Sequence, residues 1–291
     1  MKIIAKKNFT NGFVALLELS DGKRIETTAT CLPVSTEMRG TDRTDNYAVD
    51  YNIHGAENWS EKAMIGVSTQ SGCPVKCKFC AVNDLTEVQG FRNLSFDEIV
   101  QQVNWVLATV EHEHGVCMDN AQIFRVLFTR MGEPALNRDS VIKAARFLKE
   151  VFPKVRIQIS TIGFGKHSQR LVADLAKLQV EFGEQFIELQ FSIHSTSINY
   201  RQWLQHKGVV ANSVIQTWVT DYHNILRHGG VEIKWKVTLN FALTTETPFS
   251  IVGLRKQFKP DDVFIKVSPI NENVQTEKND IRGVIFQTNG V

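Results

Sequence analysis

The sequence predicts an α/β fold, a partial (β/α)6 TIM-like barrel carrying a small N-terminal β element, on three observations. From Ala63 onward short apolar runs alternate with segments of helical periodicity, turn signals punctuate the stretch before Thr30, and a capping box opens the first long helical segment. The N-terminal stretch alternates polar and apolar residues around Asn11-Gly12 in "FTNGF" and Asp21-Gly22 in "LELSDGKRIET", which is the pattern of antiparallel hairpins. Residues 33–62 are polar with little periodicity and read as a long loop or linker of the kind that carries function. The alternation then runs "AMIGVST" with "SFDEIVQQVNWVLATV", "IFRVLF" with "RDSVIKAARFLKEVF", "VRIQIS" with "QRLVADLAKL", and "FIELQFSI" with "NSVIQTWVTDYHNILRHG". It continues with "VEIKWKVTLNFAL", "PFSIVGLRKQF" and a last strand "DVFIKVS". Such alternation builds a parallel sheet with crossover helices, and six strands close only part of a barrel. The chain divides on this reading into 1–62, the β hairpin element and polar loop; 63–272, the barrel; and 273–291, a C-terminal tail.

At 291 residues with 43% hydrophobic residues the chain is long and apolar enough to bury a full core. A formal charge of +2 with no long basic run demands neither nucleic acid nor an anionic membrane as partner. The longest apolar runs are too short to span a bilayer and "MKIIAKKNF" lacks a signal-peptide pattern, so the expected location is cytoplasmic, without a membrane partner. Five cysteines, an odd number, argue against a disulfide framework and for reduced thiols or metal ligation.

Three of those cysteines, Cys73, Cys77 and Cys80, stand together in "STQSGCPVKCKFCAV". The Ser95/Glu98 capping box starts the next helix, so the thiols fall in the loop after the first barrel strand, on the rim where α/β active sites assemble. A structural zinc wants four ligands, and the nearest histidine, His54, lies upstream in the polar loop. A 4Fe-4S cluster held by three thiolates leaves one iron open to a small molecule, which suits three cysteines without a fourth. Unliganded buried cysteines normally sit singly in apolar runs, whereas these sit among Pro74, Lys76 and Lys78.

The C-x3-C-x2-C spacing with Phe79 before the last cysteine resembles the signature of the radical S-adenosylmethionine (SAM) enzymes. Further blocks, "LELSDGKRIET", "FRNLSFDEIVQQV", "VLFTRMGEPALN", "VRIQISTIG", "FSIHS" and "IKVSPIN", are similar in order and spacing to the RlmN and Cfr family of ribosomal-RNA adenine methyltransferases, over about Leu17 to Asn271. The resemblance implies a radical SAM core, a 4Fe-4S cluster on Cys73, Cys77 and Cys80, and S-adenosyl-L-methionine as second cofactor. It implies that Gly132 and Glu133 of "MGEP" grip the methionine amino group, the glycine by close backbone approach and the carboxylate by charge. Ser160, Ser192, Ile193, His194 and Asn271, at or after strand ends, are implied in the ribose and carboxylate contacts. Read without the resemblance, "MGEP" is a turn before a helix and a lone strand-end histidine is structural. Glu26 matches the family glutamate that acts as general base on the RNA adduct, and an electron donor such as flavodoxin or ferredoxin is implied, with RNA among the candidate substrates.

The chain departs from that family in its thiols. The family places a cysteine seven residues before the first cluster cysteine, where this chain has Gly66, and a methyl-accepting cysteine near the C-terminus, where this chain has none after Cys117. Cys31 could substitute by reaching the site on a flexible loop, while Cys117 is expected at the opposite end of the barrel; both read mainly as structural. Only about sixteen residues precede "LELSDG", so the family's helical accessory domain is not seen and phosphate contacts are expected to be weaker. The expectation is therefore a radical SAM enzyme that abstracts hydrogen from an unidentified substrate, with an altered RNA methyltransferase and a non-catalytic iron-sulfur or SAM sensor as alternatives.

Overall fold

The computed structural model describes residues 1–32 and 59–285. Among the described residues, nine strands form one sheet in chain order: β1 (Lys2–Phe9), β2 (Gly12–Glu18), β3 (Arg24–Leu32), β4 (Lys62–Gly66), β5 (Ile123–Phe128), β6 (Arg156–Thr161), β7 (Ile187–Ser192), β8 (Val237–Leu243) and β9 (Val263–Pro269). The pairs from β1 to β4 are antiparallel and those from β4 to β9 parallel. The expected partial barrel with its N-terminal β element is the architecture that forms, and because β3 pairs with β4 the sheet runs unbroken from one into the other. Of the expected loop 33–62, residues 33–58 lie outside the described residues, as do 286–291 of the expected tail.

The helices are α1 (Val82–Gln89), α2 (Phe96–His114), α3 (Arg138–Val151), α4 (Gly165–Phe182), α5 (Ile198–Leu204), α6 (Asn212–His228), α7 (Ile251–Gln257) and α8 (Val274–Lys278). One apolar cluster joins the sheet to them, from Phe13, Leu17 and Ile25 of the hairpins through Val103 of α2, Leu148 of α3 and Leu175 of α4 to Phe241 of β8. Strand register follows from this burial. On β6, Ile157, Ile159 and Thr161 are buried while Arg156, Gln158 and Ser160 alternate on the other face. A slip of one residue would move two isoleucines off the core, each stabilising by about 2 kcal/mol when buried.

The opposite face carries a polar chain across the strands. Arg125 pairs with Glu188 and donates to Gln158 (3.1 Å), Gln158 donates to Gln190 (3.2 Å), Gln190 donates to Ser160 (3.1 Å), and Ser160 lies 3.2 Å from Ser192. Buried polar groups are tolerated because each has a partner, and the chain ends at the carboxyl ends of β6 and β7.

Both hairpins form, the first with its turn one residue earlier than the Asn11-Gly12 signal. Phe9 pairs with Gly12, so the first turn is Thr10-Asn11, and Gly12, at φ 147°, sits where an added Cβ would come within 2.0 Å of the Ala29 carbonyl oxygen. The short helices α1, α5 and α8 are not foreseen by periodicity, which needs more turns to register. The fifth barrel strand begins at Val237 rather than Val231, because Gln185 Oε1 accepts from the backbone N–H groups of Lys234 (2.6 Å) and Trp235 (2.8 Å) and holds that stretch off the ladder.

Cys31 does not reach the strand-end rim. It is buried on β3 opposite Ala63, near the start of β4, with its Sγ 3.5 Å from the Asn11 carbonyl oxygen. Cys117 is exposed between α2 and β5, at the end of the barrel where it is expected.

The capping box forms in full: Ser95 Oγ accepts from the Glu98 N–H (3.1 Å) and Glu98 Oε2 from the Ser95 N–H (2.9 Å). Replacing Ser95 with Ala should cost about 1 kcal/mol. In a chain of this size that lowers the thermal midpoint by about 2 °C, measurable by circular dichroism, and an unchanged midpoint would show that the cap adds nothing.

Candidate functional site

After β4 the chain crosses the rim, with the Thr69 N–H donating to Met131 O (2.8 Å), and enters the cysteine loop. Lys76 takes a left-handed φ of 55°, which turns the backbone between Cys73 and Cys77. The loop is fixed by Cys73 N–H to Thr86 Oγ1 (3.0 Å), Asn83 Nδ2 to Cys77 O (2.9 Å) and Cys80 N–H to Cys77 O (3.0 Å). The three thiols are half-buried. Burial pushes the Cys73 thiol up to about 12, with the negative charges of Glu133 and Cys80 adding to it. Burial likewise raises Cys77, followed by Cys80, Cys73 and Glu133, so three sulfurs and one carboxylate share a single local field.

Among the described residues, no group of three or more His, Cys, Asp or Glu side chains is arranged around a single metal ion. Three thiols without a fourth ligand suit a 4Fe-4S cluster, in which each thiolate would bind its own iron. Iron would also offset the burial penalty, since a bound cation deprotonates a coordinating thiol.

Glu133 follows β5 and is 3% exposed. Its Oε1 accepts from the Ala135 N–H (3.0 Å) and the Thr161 hydroxyl (2.5 Å), and its Oε2 from the Ile162 N–H (3.1 Å). Burial raises its pKa against these bonds, and Oε2 keeps one lone pair for a further donor. Gly132, at φ 103°, lies against Gln70, whose backbone N would be 2.8 Å from an added Cβ, and Gln70 Oε1 accepts from the Glu133 N–H (2.9 Å). Ser160 and Ser192 meet at the end of the polar chain described above. Ile193 has its side chain in the core and gives its N–H to Asn240 O (2.9 Å).

His194 is buried with φ 61°, and its Nδ1 accepts from the Ala242 N–H (3.0 Å), which places the ring proton on Nε2. Burial, then the positive charge of Arg201, lowers its pKa to about 3. The ring stands edge-on to Phe79, with centroids 5.2 Å apart, and so props the cysteine loop from below. Asn271 is exposed just after β9, and its carbonyl accepts from Asn273 Nδ2 (3.1 Å).

Glu26 is carried by β3 to the same rim and is ion-paired with Arg130, which precedes "MGEP". The Arg130 stem packs over Gly66: a Cβ there would stand 2.9 Å from Arg130 Cδ and 2.4 Å from Thr28 Oγ1. The place where the resembling family carries a thiol is thus filled by a guanidinium stem and a hydroxyl. Burial lowers the Arg130 pKa, yet an arginine remains charged at neutral pH, so Glu26 is held as a counter-ion. Sequence reasoning passes over Arg130, Thr161, Asn273 and Asn279; only proximity in space joins them to the cysteines and Glu133.

A strand-end rim of this kind on a partial barrel, with three thiols in the first loop, defines a class, and residues 67–215 match the family model of the Radical SAM superfamily. The chain belongs to that superfamily and is an enzyme of the radical SAM class. Membership implies S-adenosylmethionine and a 4Fe-4S cluster, and the donor set above fits both. The chain is 30% identical over 183 residues to a probable dual-specificity RNA methyltransferase RlmN of Synechococcus sp., with 62% of this chain and 45% of the relative covered. It is 31% identical over 188 residues to the corresponding protein of Fervidobacterium nodosum, again over 62% of this chain and 45% of the relative. It therefore spans about half the length of the curated relatives it matches. A radical SAM methyltransferase from Sphaerobacter thermophilus shares the fold, with a TM-score of 0.65 and 20% identity over 93% of this chain and 67% of that one. No helix among the described residues is long and apolar enough to cross a membrane.

The His194 arrangement gives a pH dependence. The unfolded ring takes up a proton near 6.5 and the folded ring only near 3, so its contribution to stability is complete above about pH 6.5 and is lost as pH falls toward 3. Urea unfolding of cluster-free protein should show stability declining below pH 6.5, by up to about 1.4 kcal/mol per pH unit from this residue. The His194→Asn variant, whose side chain tolerates positive φ, should show a shallower decline, and parallel curves would remove His194 as the cause.

Proposed function

We propose that this chain cleaves S-adenosylmethionine reductively and uses the resulting 5'-deoxyadenosyl radical to take a hydrogen atom from a substrate held at the strand-end rim. The observation that supports this reading is the gathering of three half-buried thiols in the first rim loop, with the buried Glu133 carboxylate close enough for its charge to raise the Cys73 and Cys77 thiols. Cys73, Cys77 and Cys80 would hold the cluster, which when bound supplies the single electron for the cleavage. Glu133 offers its remaining lone pair to the methionine ammonium, and Gly132 lets the backbone approach. Ser160 and Ser192, joined at 3.2 Å, together with the Ile193 and His194 backbone and Asn271, present polar groups to the ribose and carboxylate. These residues orient the cofactor and exclude water from the reacting carbon. A flavodoxin or ferredoxin would deliver the electron in the cytoplasm.

The relatives' names make RNA a candidate substrate. The methyl-carrying route of the resembling family is disfavoured, because Arg130 and Thr28 occupy the space at Gly66 and Cys31 faces the far end of the sheet. Glu26, the general base that the resemblance implies, is held by Arg130 at the rim, and would need release from that ion pair to act as a base.

Anaerobically reconstituted protein given dithionite and S-adenosylmethionine should release 5'-deoxyadenosine, and Cys77→Ala should abolish both the cluster and the release. A brown, reducible protein that releases none would identify a sensor instead. Glu133→Gln should weaken S-adenosylmethionine binding about tenfold to a hundredfold with iron content unchanged, and equal affinity would take Glu133 out of the site. Methyl-labelled cofactor with RNA should leave adenine unlabelled; label on an adenine carbon would restore the methyltransferase reading.

A further inference from the structure

The segment after β9 is bolted to the cysteine loop by contacts drawn from both ends of the barrel sequence. Asn273 Nδ2 donates to Phe79 O (3.0 Å) and Asn279 Nδ2 to Lys78 O (2.9 Å), the two peptide carbonyls directly before Cys80. Gln275 Nε2 donates to Asp84 Oδ1 (2.6 Å) at the start of α1, where Lys278 Nζ also reaches (3.1 Å). Beneath these bonds Leu204, Ile270 and Ile281 form a buried apolar cluster of their own, with Phe79, Tyr200 and Ala242 packed on it. The far end is pinned by a bridge between Thr244 and Gly283 and by the Thr245 N–H to Arg282 O (3.0 Å). Asn273 also caps α8, its Oδ1 accepting from Gln275 (2.8 Å) and Thr276 (3.4 Å).

We propose that residues 271–283 are a strap that positions the cysteine loop, and that Asn273 and Asn279 are positioning residues for Cys80. Each amide holds one carbonyl of the Lys78-Phe79 pair, so together they fix the two peptide planes that aim Cys80, while the Phe79 ring is clamped between the small apolar cluster and His194. The strap begins at Asn271, which ties the rim position assigned to S-adenosylmethionine to the loop assigned to the cluster. The effect on the cluster rests on the function proposed above; the effect on the loop does not.

Asn273→Asp separates the two duties of that side chain, because the carboxylate keeps the acceptor that caps α8 and loses the donor to Phe79 O. The full chain carrying Asn273→Asp and Asn279→Asp should keep its circular dichroism spectrum. In cluster-free protein, amide hydrogen exchange over residues 76–82 should rise about tenfold over wild type. After reconstitution the cluster should bleach several-fold faster in air, and its electron paramagnetic resonance spectrum on addition of S-adenosylmethionine should differ from wild type. Wild-type exchange over 76–82 overturns the strap. Raised exchange with an unchanged spectrum and unchanged bleaching overturns the role toward Cys80. Wild-type protein that takes up no iron refutes the cluster reading, and the exchange measurement still decides the strap.

Discussion

A carboxylate with 3% of its surface exposed persists only where donors meet its lone pairs, and Glu133 draws three of them from two strand ends. The turn after β5 is fixed by the Ala135 N–H, and the end of β6 by the Thr161 hydroxyl and the Ile162 N–H. Through Gln70, which takes the Glu133 N–H, the same turn is fastened to the segment that leads into the cysteines. The negative charge of Glu133 adds to the raised pKa of Cys73 and Cys77, so the rim's shape and its electrostatics have a common source. Removing the carboxylate would leave buried N–H groups without partners, which is why an amide in its place separates binding from folding more cleanly than a methyl group.

On the neighbouring side of the rim, chemistry has been traded between side chains. Gly66, Thr28, Arg130 and Glu26 form one packed unit in which each residue's size is set by the others. A thiol at 66 would need both Arg130 and Thr28 to move, and the ion pair with Glu26 resists the first of these shifts. The sequence similarity to RNA methyltransferases thus coexists with a rim whose packing differs at the position where their resemblance places a reactive sulfur.

Much of this was legible in the sequence where the signal is local. The Ser95/Glu98 box, the alternation on β6 and β8 and the Asp21-Gly22 turn each express a short-range rule, and the structure follows them. The cysteine spacing likewise identified the loop and, with the flanking blocks, the superfamily. What was not legible depends on distance. Arg130 reads as one more surface cation until β3 brings Glu26 to it, and Asn273 reads as a helix cap until the tail folds back to Phe79. The displaced start of β8 has the same origin, a glutamine about fifty residues upstream that no window on the strand contains.

The strict chain order of the nine strands has a consequence for how the protein assembles. Every ladder joins neighbours in sequence order, so the sheet can grow by successive local additions at modest loop-closure entropy. The bonds from Asn273 to Phe79 and from Asn279 to Lys78 span 194 and 201 residues, far more than any ladder of the sheet. Chain entropy places them last, after β9 has joined the sheet. Until then the cysteine loop lacks its outer fastening. The strand order thus leaves the fastening of the cysteine loop as the closure that spans the most chain at the rim.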